Sequence, residues 1–293
     1  MIKIPIRFFI VTFLWSWLFF GIAIFISHKI FQDTISLPFE IIYAIVIIGL
    51  FGPGVGSYIS IYTLEGREAI KKHFKKFFSL KFGWEVWLTI LLGIGIMAFI
   101  AWIIPEFIGE NRVQMPFSNI YTLPLFFIVL LIYSTFLNGG NEEIGWRGYI
   151  LPYLENKYGL IIGSLILGII WSIWHIPMWF IHGMNHMYMN FLAFMFFCIG
   201  YSFIFSWIIK ISGNRLFSGL VAHGLVNLYF SFFPVVIHEE NNPQIRFWIY
   251  SIIVLIIGLI IVIIRTLESR KITLNRTVSR LSAIGNDICI KEK

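Results

Sequence analysis

Long apolar runs are the feature that most constrains the fold of this chain. Hydrophobic residues make up 58% of its 293 residues, and Asp, Glu, Lys and Arg together make up 13%. Soluble domains carry about 25% charged residues, and a transmembrane helix needs about 20 mostly apolar residues. The pattern therefore predicts an all-α, polytopic membrane helical bundle that encloses a polar intramembrane cavity, with no separate soluble domain.

Eight runs are long and apolar enough to be transmembrane helices. They are residues 5–27, 41–63, 86–105, 120–140, 160–181, 188–209, 215–234 and 245–265. We interpret the first as a retained span, because it is too long for a typical signal core and no small-residue cleavage site follows it. The predicted organisation is one transmembrane domain, residues 1–265, followed by a basic cytoplasmic tail, residues 266–293.

The basic residues predict the orientation of these spans. Of the 22 Lys and Arg residues, all but Lys29, Arg112 and Arg246 fall on the side that holds both termini. Cytoplasmic loops are enriched in Lys and Arg, so we expect a multi-pass protein of the cell membrane with both termini in the cytoplasm. The net charge of +7 then reflects these loops, and no nucleic acid partner is predicted.

The basic segment 64–85 carries several phenylalanines between its lysines. This pattern is typical of an amphipathic helix that lies on the anionic inner leaflet. A solvated cytoplasmic loop is the alternative. The two cysteines, Cys198 and Cys289, lie in an apolar run and in the basic tail, so the sequence does not predict a disulfide framework.

Two adjacent carboxylates, Glu142 and Glu143, follow the fourth apolar run, and we place them at its cytoplasmic end. A carboxylate within a membrane costs about 2.5–3.5 kcal/mol on insertion scales, so the pair indicates a site that needs charge. Glu143 and Arg147 are four residues apart and can pair on a helix. Glu142 points elsewhere and is free for another task. An ordinary interfacial ion pair is the alternative, but it gives Glu142 no role.

A histidine interrupts the fifth apolar run at His175, close to a proline that can open the helix. A core histidine whose hydrogen bonds are satisfied is the alternative to a functional one. His182 and His186 follow at the opposite interface, and we interpret both as surface residues.

The seventh run carries His223 and Asn227, whose spacing of four residues puts them on one helix face. Gly219 and Gly224 would let another helix approach closely. Hydrogen bonding between packed helices is the alternative explanation for these polar side chains.

Together these clusters contain the groups that peptide hydrolysis needs. A carboxylate can accept a proton from water, and a neutral imidazole can help to position that water. Imidazole and amide N–H groups can donate to the oxyanion that develops on the scissile carbonyl. No serine or cysteine has a comparable partner, so we do not expect a covalent acyl-enzyme.

Three short motifs occur in an order and spacing that resemble those of a known family, the CPBP intramembrane proteases, which includes the CAAX prenyl proteases and bacterial Abi-type proteins. The motifs are Glu142-Glu143-x-x-x-Arg147, Trp171-x-x-x-His175 and His223-x-x-x-Asn227. The resemblance covers residues from about 120 to 230, and it implies a catalytic core at about 120–234. Trp171 stands where the family commonly has phenylalanine.

The resemblance implies a glutamate-dependent membrane endopeptidase that hydrolyses a membrane-associated peptide or protein at a site open toward the cytoplasm. The roles it implies are Glu142 as general base, His175 as its helper with the water, His223 and Asn227 on the oxyanion side, and Glu143 with Arg147 as the supporting pair. Family members are described as metalloproteases. A divalent metal such as zinc could take Glu142, His175 and His223, which are ligand types that zinc accepts, although no H-E-x-x-H motif is present.

Two other functions compete with the peptidase. A non-enzymatic membrane immunity or regulatory protein would bind a peptide or membrane partner and use the same polar residues to hold its helices together. A proton-relaying transporter is less well supported, because the sequence lacks matching broken helices in two repeats. The sequence leaves the substrate open among prenylated CAAX proteins, peptide pheromones, bacteriocins and surface-protein precursors.

Overall fold

The computed structural model describes residues 5–77, 81–115 and 123–291. All regular structure in these ranges is helical, which confirms the predicted all-α bundle. The helices are α1 (Ile6–Phe31), α2 (Phe39–Leu50), α3 (Gly52–Glu65), α4 (Arg67–Phe77), α5 (Trp84–Leu88), α6 (Ile94–Ile103), α7 (Leu123–Phe136), α8 (Glu143–Gly145), α9 (Leu151–Trp174), α10 (Phe191–Ile211), α11 (Leu216–Phe232) and α12 (Ile245–Lys291). Helix α10 packs most extensively against α9 and α12, while α1 packs against α2 and α3.

Six helical stretches of the described residues are long and apolar enough to cross a membrane. They are Ile6–Phe31, Phe39–Glu65, Trp84–Ile108, Pro124–Phe180, Phe191–Ile211 and Ile245–Glu268. The stretch Pro124–Phe180 contains two predicted spans, and α11 is a shorter apolar helix. A multi-pass architecture is therefore confirmed, whereas the count of eight spans stays a prediction. The start of the predicted span 120–140 lies outside the described residues.

The stretch Pro124–Phe180 is folded back on itself. Helix α8, a π-helical turn at Trp146–Ile150 and the first part of α9 lead to Gly159, where φ is 80° and ψ is 171°. Glycine adopts this conformation without steric cost, so the chain can reverse here. The reversal brings Trp171 within hydrogen-bonding distance of Glu142, although in one straight helix the two would be about 43 Å apart.

Helix α11 runs antiparallel beside α7 and α8. Thr135 of α7 lies against Gly224, where an added Cβ would be 2.5 Å from the threonine Oγ1. Beyond the break between α7 and α8, Gly148 lies against Leu216, nearer the start of α11. The predicted close approach at Gly224 is thus confirmed, whereas Gly219 faces a side chain of α10. Helices α7 and α8 therefore follow one another through the bundle as a discontinuous helix that is interrupted between them.

The paired carboxylates lie at this break, and the helical path continues beyond them. The chain is helical from Glu143 to the reversal at Gly159, a length of about 24 Å. The ion pair between Glu155 and Lys210, 2.9 Å long, lies beside the reversal. Charged residues after an apolar run predicted a helix leaving the membrane, but here they are buried together inside the bundle.

Loops collect on two opposite faces of the bundle. The basic face comprises helix α4 together with residues 66, 81–83, 158–160 and 212–215, and the opposite face comprises residues 32–38, 109–115, 181–190 and 233–244. The loop 181–190 contacts both the end of α1 and the loop 233–244. His182 approaches His28 with 3.2 Å between ring nitrogens, and His238 lies 2.7 Å from the Asn185 side-chain oxygen.

The basic segment after α3 contains a helix, α4, and its position on the inner leaflet stays a prediction. Lys71, Lys72 and Lys75 are exposed on it, and Ile70 is half-buried; residues 78–80 of the segment lie outside the described residues. Helix α12 continues past residue 265 to Lys291, so the predicted tail is helical as far as the structure describes it. The domain boundary at residue 265 stays a prediction.

Candidate active site

One cavity of about 360 Å³ brings together the four predicted catalytic residues. Glu142, His175, His223 and Asn227 all line it. They come from the break before α8, the end of α9 and the middle of α11. Most of the remaining wall is apolar and is formed by α2, α10 and the segment 176–190, including Val46, Leu50, Met178, Met184, Met189, Phe194 and Phe197.

The end of α9 presents its histidine to the cavity for a local reason. Helix α9 ends at Trp174, and the next residues form a 3₁₀ turn that contains Pro177. Proline has no N–H to donate and clashes with a preceding helical turn, so the helix cannot continue. His175 therefore lies at the change of direction, where its side chain lines the cavity.

The predicted pairing of Glu143 with Arg147 is confirmed. An Nη1 of Arg147 lies 2.9 Å from Glu143 Oε1, and neither side chain is exposed. The guanidinium carbon lies 4.6 Å from the Trp171 ring centroid and 5.1 Å from that of Phe205, within the range of cation–π contacts. Removing one partner of such a pair leaves an uncompensated buried charge, so the two residues hold the break in place together.

Glu142 is held by a residue that sequence reasoning treated only as a replacement for phenylalanine. The indole Nε1 of Trp171 donates to Glu142 Oε2 over 2.8 Å. A phenylalanine ring has no donor to offer here. The sequence feature that could have predicted this bond is the indole itself, because a buried tryptophan N–H usually has a hydrogen-bond acceptor. Glu142 is thus oriented through one oxygen.

His175 has a defined tautomer when it is neutral. Its Nδ1 lies 2.9 Å from the main-chain oxygen of Trp171. A carbonyl oxygen only accepts hydrogen bonds, so Nδ1 carries the proton and Nε2 carries the lone pair. The ring can therefore accept a hydrogen bond, or a proton, at Nε2.

His223 is oriented by the same carboxylate that binds Arg147. Its Nδ1 donates to Glu143 Oε1 over 2.9 Å. The ring can donate from Nε2 as well when it carries both protons, and Glu143 then supplies the opposite charge. The supporting pair is therefore connected directly to the predicted oxyanion side.

Asn227 and Gly139 complete this side of the cavity. The Asn227 Nδ2 donates one hydrogen to the main-chain oxygen of Asn138 over 2.6 Å, and its second hydrogen remains. Gly139 has a φ of 107°, and a Cβ there would lie 2.3 Å from Asn227 Nδ2 and 2.8 Å from His223 Nε2. The absence of a side chain at Gly139 leaves the space beside both nitrogens open.

The prediction that His186 is a surface residue is wrong. It lines the cavity, and its ring stacks on that of His175 with 5.6 Å between centroids and 17° between planes. Burial lowers the pKa of His186 to about 4, so the ring is neutral near pH 7. A single histidine in a loop gives no sequence signal for this position. His182 lies outside the cavity, beside His28.

The candidate metal ligands do not form a ready three-ligand site. Glu142, His175 and His223 share the cavity, but no group of three or more His, Cys, Asp and Glu side chains within the described ranges is placed to hold a metal ion. Zinc in proteins usually has three or four protein ligands in tetrahedral geometry. The donor set as arranged does not fit such a site, and we derive no step through a metal. Metal dependence stays a prediction.

Two comparisons with known proteins both point to CAAX-type prenyl proteases. Residues 124–229 match the family described as Type II CAAX prenyl endopeptidase Rce1-like. The chain is also 26% identical, over 209 residues, to a protein named CAAX prenyl protease 2 from Methanococcus maripaludis, an alignment that covers 67% of this chain and 74% of that protein. The matched region contains all three motifs. Both similarities support the family predicted from these motifs, the CAAX-type proteases, and they support a membrane endopeptidase.

Proposed function

We propose that this peptidase hydrolyses a membrane-associated peptide or protein by a glutamate-dependent mechanism, with Glu142 as the general base. The observation that carries the proposal is the shared cavity of Glu142, His175, His223 and Asn227. Glu142 is fixed by Trp171 but is not part of the ion pair, so it is the carboxylate available to water.

In the first step, a water molecule lies between Glu142 and His175. Glu142 takes one of its protons on Oε1, the oxygen that Trp171 does not bind. His175 accepts a hydrogen bond from the other water proton at Nε2. The resulting hydroxide attacks the scissile carbonyl carbon, and a positioned base of this kind typically contributes about 10²–10⁴-fold in rate.

In the second step, the carbonyl oxygen becomes an oxyanion. The second Nδ2–H of Asn227 donates to it. His223 donates from Nε2 in the form of its ring that has already taken up a second proton before the attack, a form that the charge of Glu143 stabilises. When the tetrahedral intermediate collapses, Glu142 returns its proton to the leaving amine. Loss of one oxyanion donor typically lowers kcat by about 10²–10³-fold.

The proposed location is the cell membrane, with both termini in the cytoplasm. The supporting observation is that Lys and Arg residues are concentrated toward the side of the bundle that holds both termini, including Arg67, Lys71, Lys157, Lys210 and Arg215. The name of the Methanococcus relative makes prenylated CAAX proteins one candidate substrate class. Pheromone, bacteriocin and surface-protein precursors are the others.

The non-enzymatic immunity or regulatory role predicts a different result from the same variant. A deletion strain complemented with Glu142→Ala fails to recover the phenotype if the site is catalytic, and recovers it if the polar residues only hold helices together. Quantitative peptidomics of the membranes then identifies substrates, as fragments that are present with wild-type protein and missing with an equally abundant Glu142→Ala protein. The same fragments from both proteins would contradict the proposed mechanism.

A further inference from the structure

We propose that the active-site cavity opens on the extracytoplasmic face, so that the substrate is a peptide segment presented outside the cytoplasm. The inference rests on the proposed peptidase site and orientation, and it replaces the expectation of a site open toward the cytoplasm. The argument has three parts, which are the position of the cavity mouth, the closed floor and the charge of the two faces.

The mouth of the cavity is marked by those lining residues that are exposed. Among the described lining residues these are Tyr43, Asn185 and Ser231. Tyr43 is in the first turns of α2, Ser231 is in the last turn of α11, and Asn185 is in the loop 181–190. All three positions lie at the face opposite the basic loops.

The floor of the cavity is closed toward the basic face. Glu142, Trp171 and His223 are at most 4% exposed. Below them lies the fully buried pair of Glu143 and Arg147. An apolar cluster of Ile144, Leu216 and Leu220 lies on the same side of the floor. About 24 Å of helix separates the glutamates from the reversal at residue 159.

A second cavity does not connect the active site to the basic face. It has a volume of about 310 Å³ and is lined by residues such as Gly148, Lys210 and Asn214. Within the part of the chain that the structure describes, it shares no lining residue with the first cavity. Water and substrate therefore reach Glu142 from the opposite face.

The charges of the two faces decide which side this is. Only Lys29, Arg112 and Arg246 of the Lys and Arg residues fall on the side of the mouth in the span map, and the structure places Arg246 against the loop that contains Arg112. Membrane proteins keep loops rich in Lys and Arg in the cytoplasm, which assigns the mouth to the outside. A prenylated C-terminus on the cytoplasmic leaflet would then lie beyond the closed floor, whereas an exported precursor would reach the site.

The first test measures which face the mouth is on and needs no peptidase activity. In a C198A/C289A background, N185C and K157C are placed separately, at the mouth and beside the reversal at Gly159. Intact cells are treated with a membrane-impermeant maleimide, and permeabilised cells show the full labelling of each variant. We expect N185C to be labelled in intact cells and K157C only after permeabilisation. Labelling of K157C in intact cells, or of neither variant until permeabilisation, overturns the inference.

The second test asks whether substrate enters through this mouth. Intact cells that carry N185C are treated with an impermeant polyethylene glycol maleimide, and the membrane peptides are then compared with those of untreated cells. R112C is the control, because Arg112 is exposed in another loop of the same face and does not line the cavity. We expect labelled N185C to lose the fragments seen with wild-type protein and labelled R112C to keep them. If the fragments persist with labelled N185C, the inference is overturned. If wild-type protein itself produces no such fragments, the result contradicts the proposed function instead.

Discussion

Trp171 contacts four of the charged or titratable groups at the site: Glu142, His175, Arg147 and His223. Its N–H binds Glu142, and its main-chain oxygen accepts from His175. Its ring lies against the guanidinium of Arg147 and meets the His223 ring edge-on, with 5.2 Å between centroids. Phenylalanine at this position could keep the ring contacts but would lose the hydrogen bond to the general base.

We therefore predict that Trp171→Phe lowers kcat by at least about tenfold, because a hydrogen bond to a charged group contributes about 1.5–3 kcal/mol. Trp174→Phe is the matched control. Trp174 is buried in the same helix, and its indole nitrogen has no hydrogen-bond partner among the described residues. The measurement is steady-state cleavage of a substrate found by peptidomics. Equal activity of Trp171→Phe and wild type would show that the indole N–H does not position Glu142.

His186 gives a second prediction at the residue scale. Its ring covers one face of His175, so His186→Ala should lower activity by freeing that ring to rotate. His186→Phe should restore much of it, since an aromatic ring is kept. His182→Ala, in the same loop but outside the cavity, should leave activity near the wild-type level. If His186→Phe is as impaired as His186→Ala, stacking is not the contribution of this residue.

Local spacing predicted the short-range part of the site and missed the long-range part. The ion pair of Glu143 and Arg147 follows from a separation of four residues on a helix. The bond between Glu142 and Trp171 joins residues 29 apart in sequence. It exists because the chain reverses at Gly159, and one glycine in an apolar segment does not predict a reversal.

At the scale of the secondary-structure elements, the break between α7 and α8 determines the shape of the site. The break is possible because Gly139 has a positive φ and no side chain. Both the glutamates and the space beside the oxyanion donors depend on this short segment. The sequence predicts the end of a span here, because charged residues normally mark a helix that leaves the membrane. The burial of these residues together depends on tertiary contacts that the sequence pattern does not show.

We predict that Gly139→Ala abolishes most activity, because the added methyl group would overlap Asn227 and His223. Gly109→Ala is the control, since Gly109 also has a positive φ, 92°, but has nothing within 4 Å of an added Cβ. Both variants should lose about 1–3 kcal/mol of stability through backbone strain. Cleavage assays with equal amounts of folded protein separate the loss of activity from the loss of stability. Similar residual activity in both variants would contradict the crowding argument.

The loop 181–190 gives a prediction about pH. Burial lowers the pKa of His186 to about 4, whereas an unfolded histidine titrates near about 6.5. Below about pH 6.5 the unfolded chain takes up a proton that the folded chain does not, so stability should fall as the pH drops toward 4. The Tm of His186→Phe should fall less over this range than that of the wild type. If Tm falls equally with pH in the wild type and in His186→Phe, His186 is not buried as a neutral ring.

At the scale of the whole molecule, hydropathy and charge predicted an all-helical, multi-pass membrane bundle, and the motifs predicted the similarity to CAAX-type proteases. The resemblance implied a cavity open toward the cytoplasm, whereas we propose that the cavity opens on the opposite face. That direction depends on which face holds Tyr43, Asn185 and Ser231, residues with no motif and no unusual spacing. Sequence patterns describe single helices well, but a cavity is formed by side chains from several of them.

The central claim is that the two adjacent carboxylates have different tasks, with Glu142 as the base and Glu143 as the structural partner of Arg147 and His223. The most direct measurement compares Glu142→Gln and Glu143→Gln as purified proteins, by cleavage rate and by Tm. We predict that Glu142→Gln keeps a Tm close to wild type and loses about 10²–10⁴-fold in rate. Glu143→Gln should be destabilised by about 3–5 kcal/mol, because it leaves Arg147 buried without a counter-charge. A Glu142→Gln protein that cleaves at the wild-type rate would contradict this account.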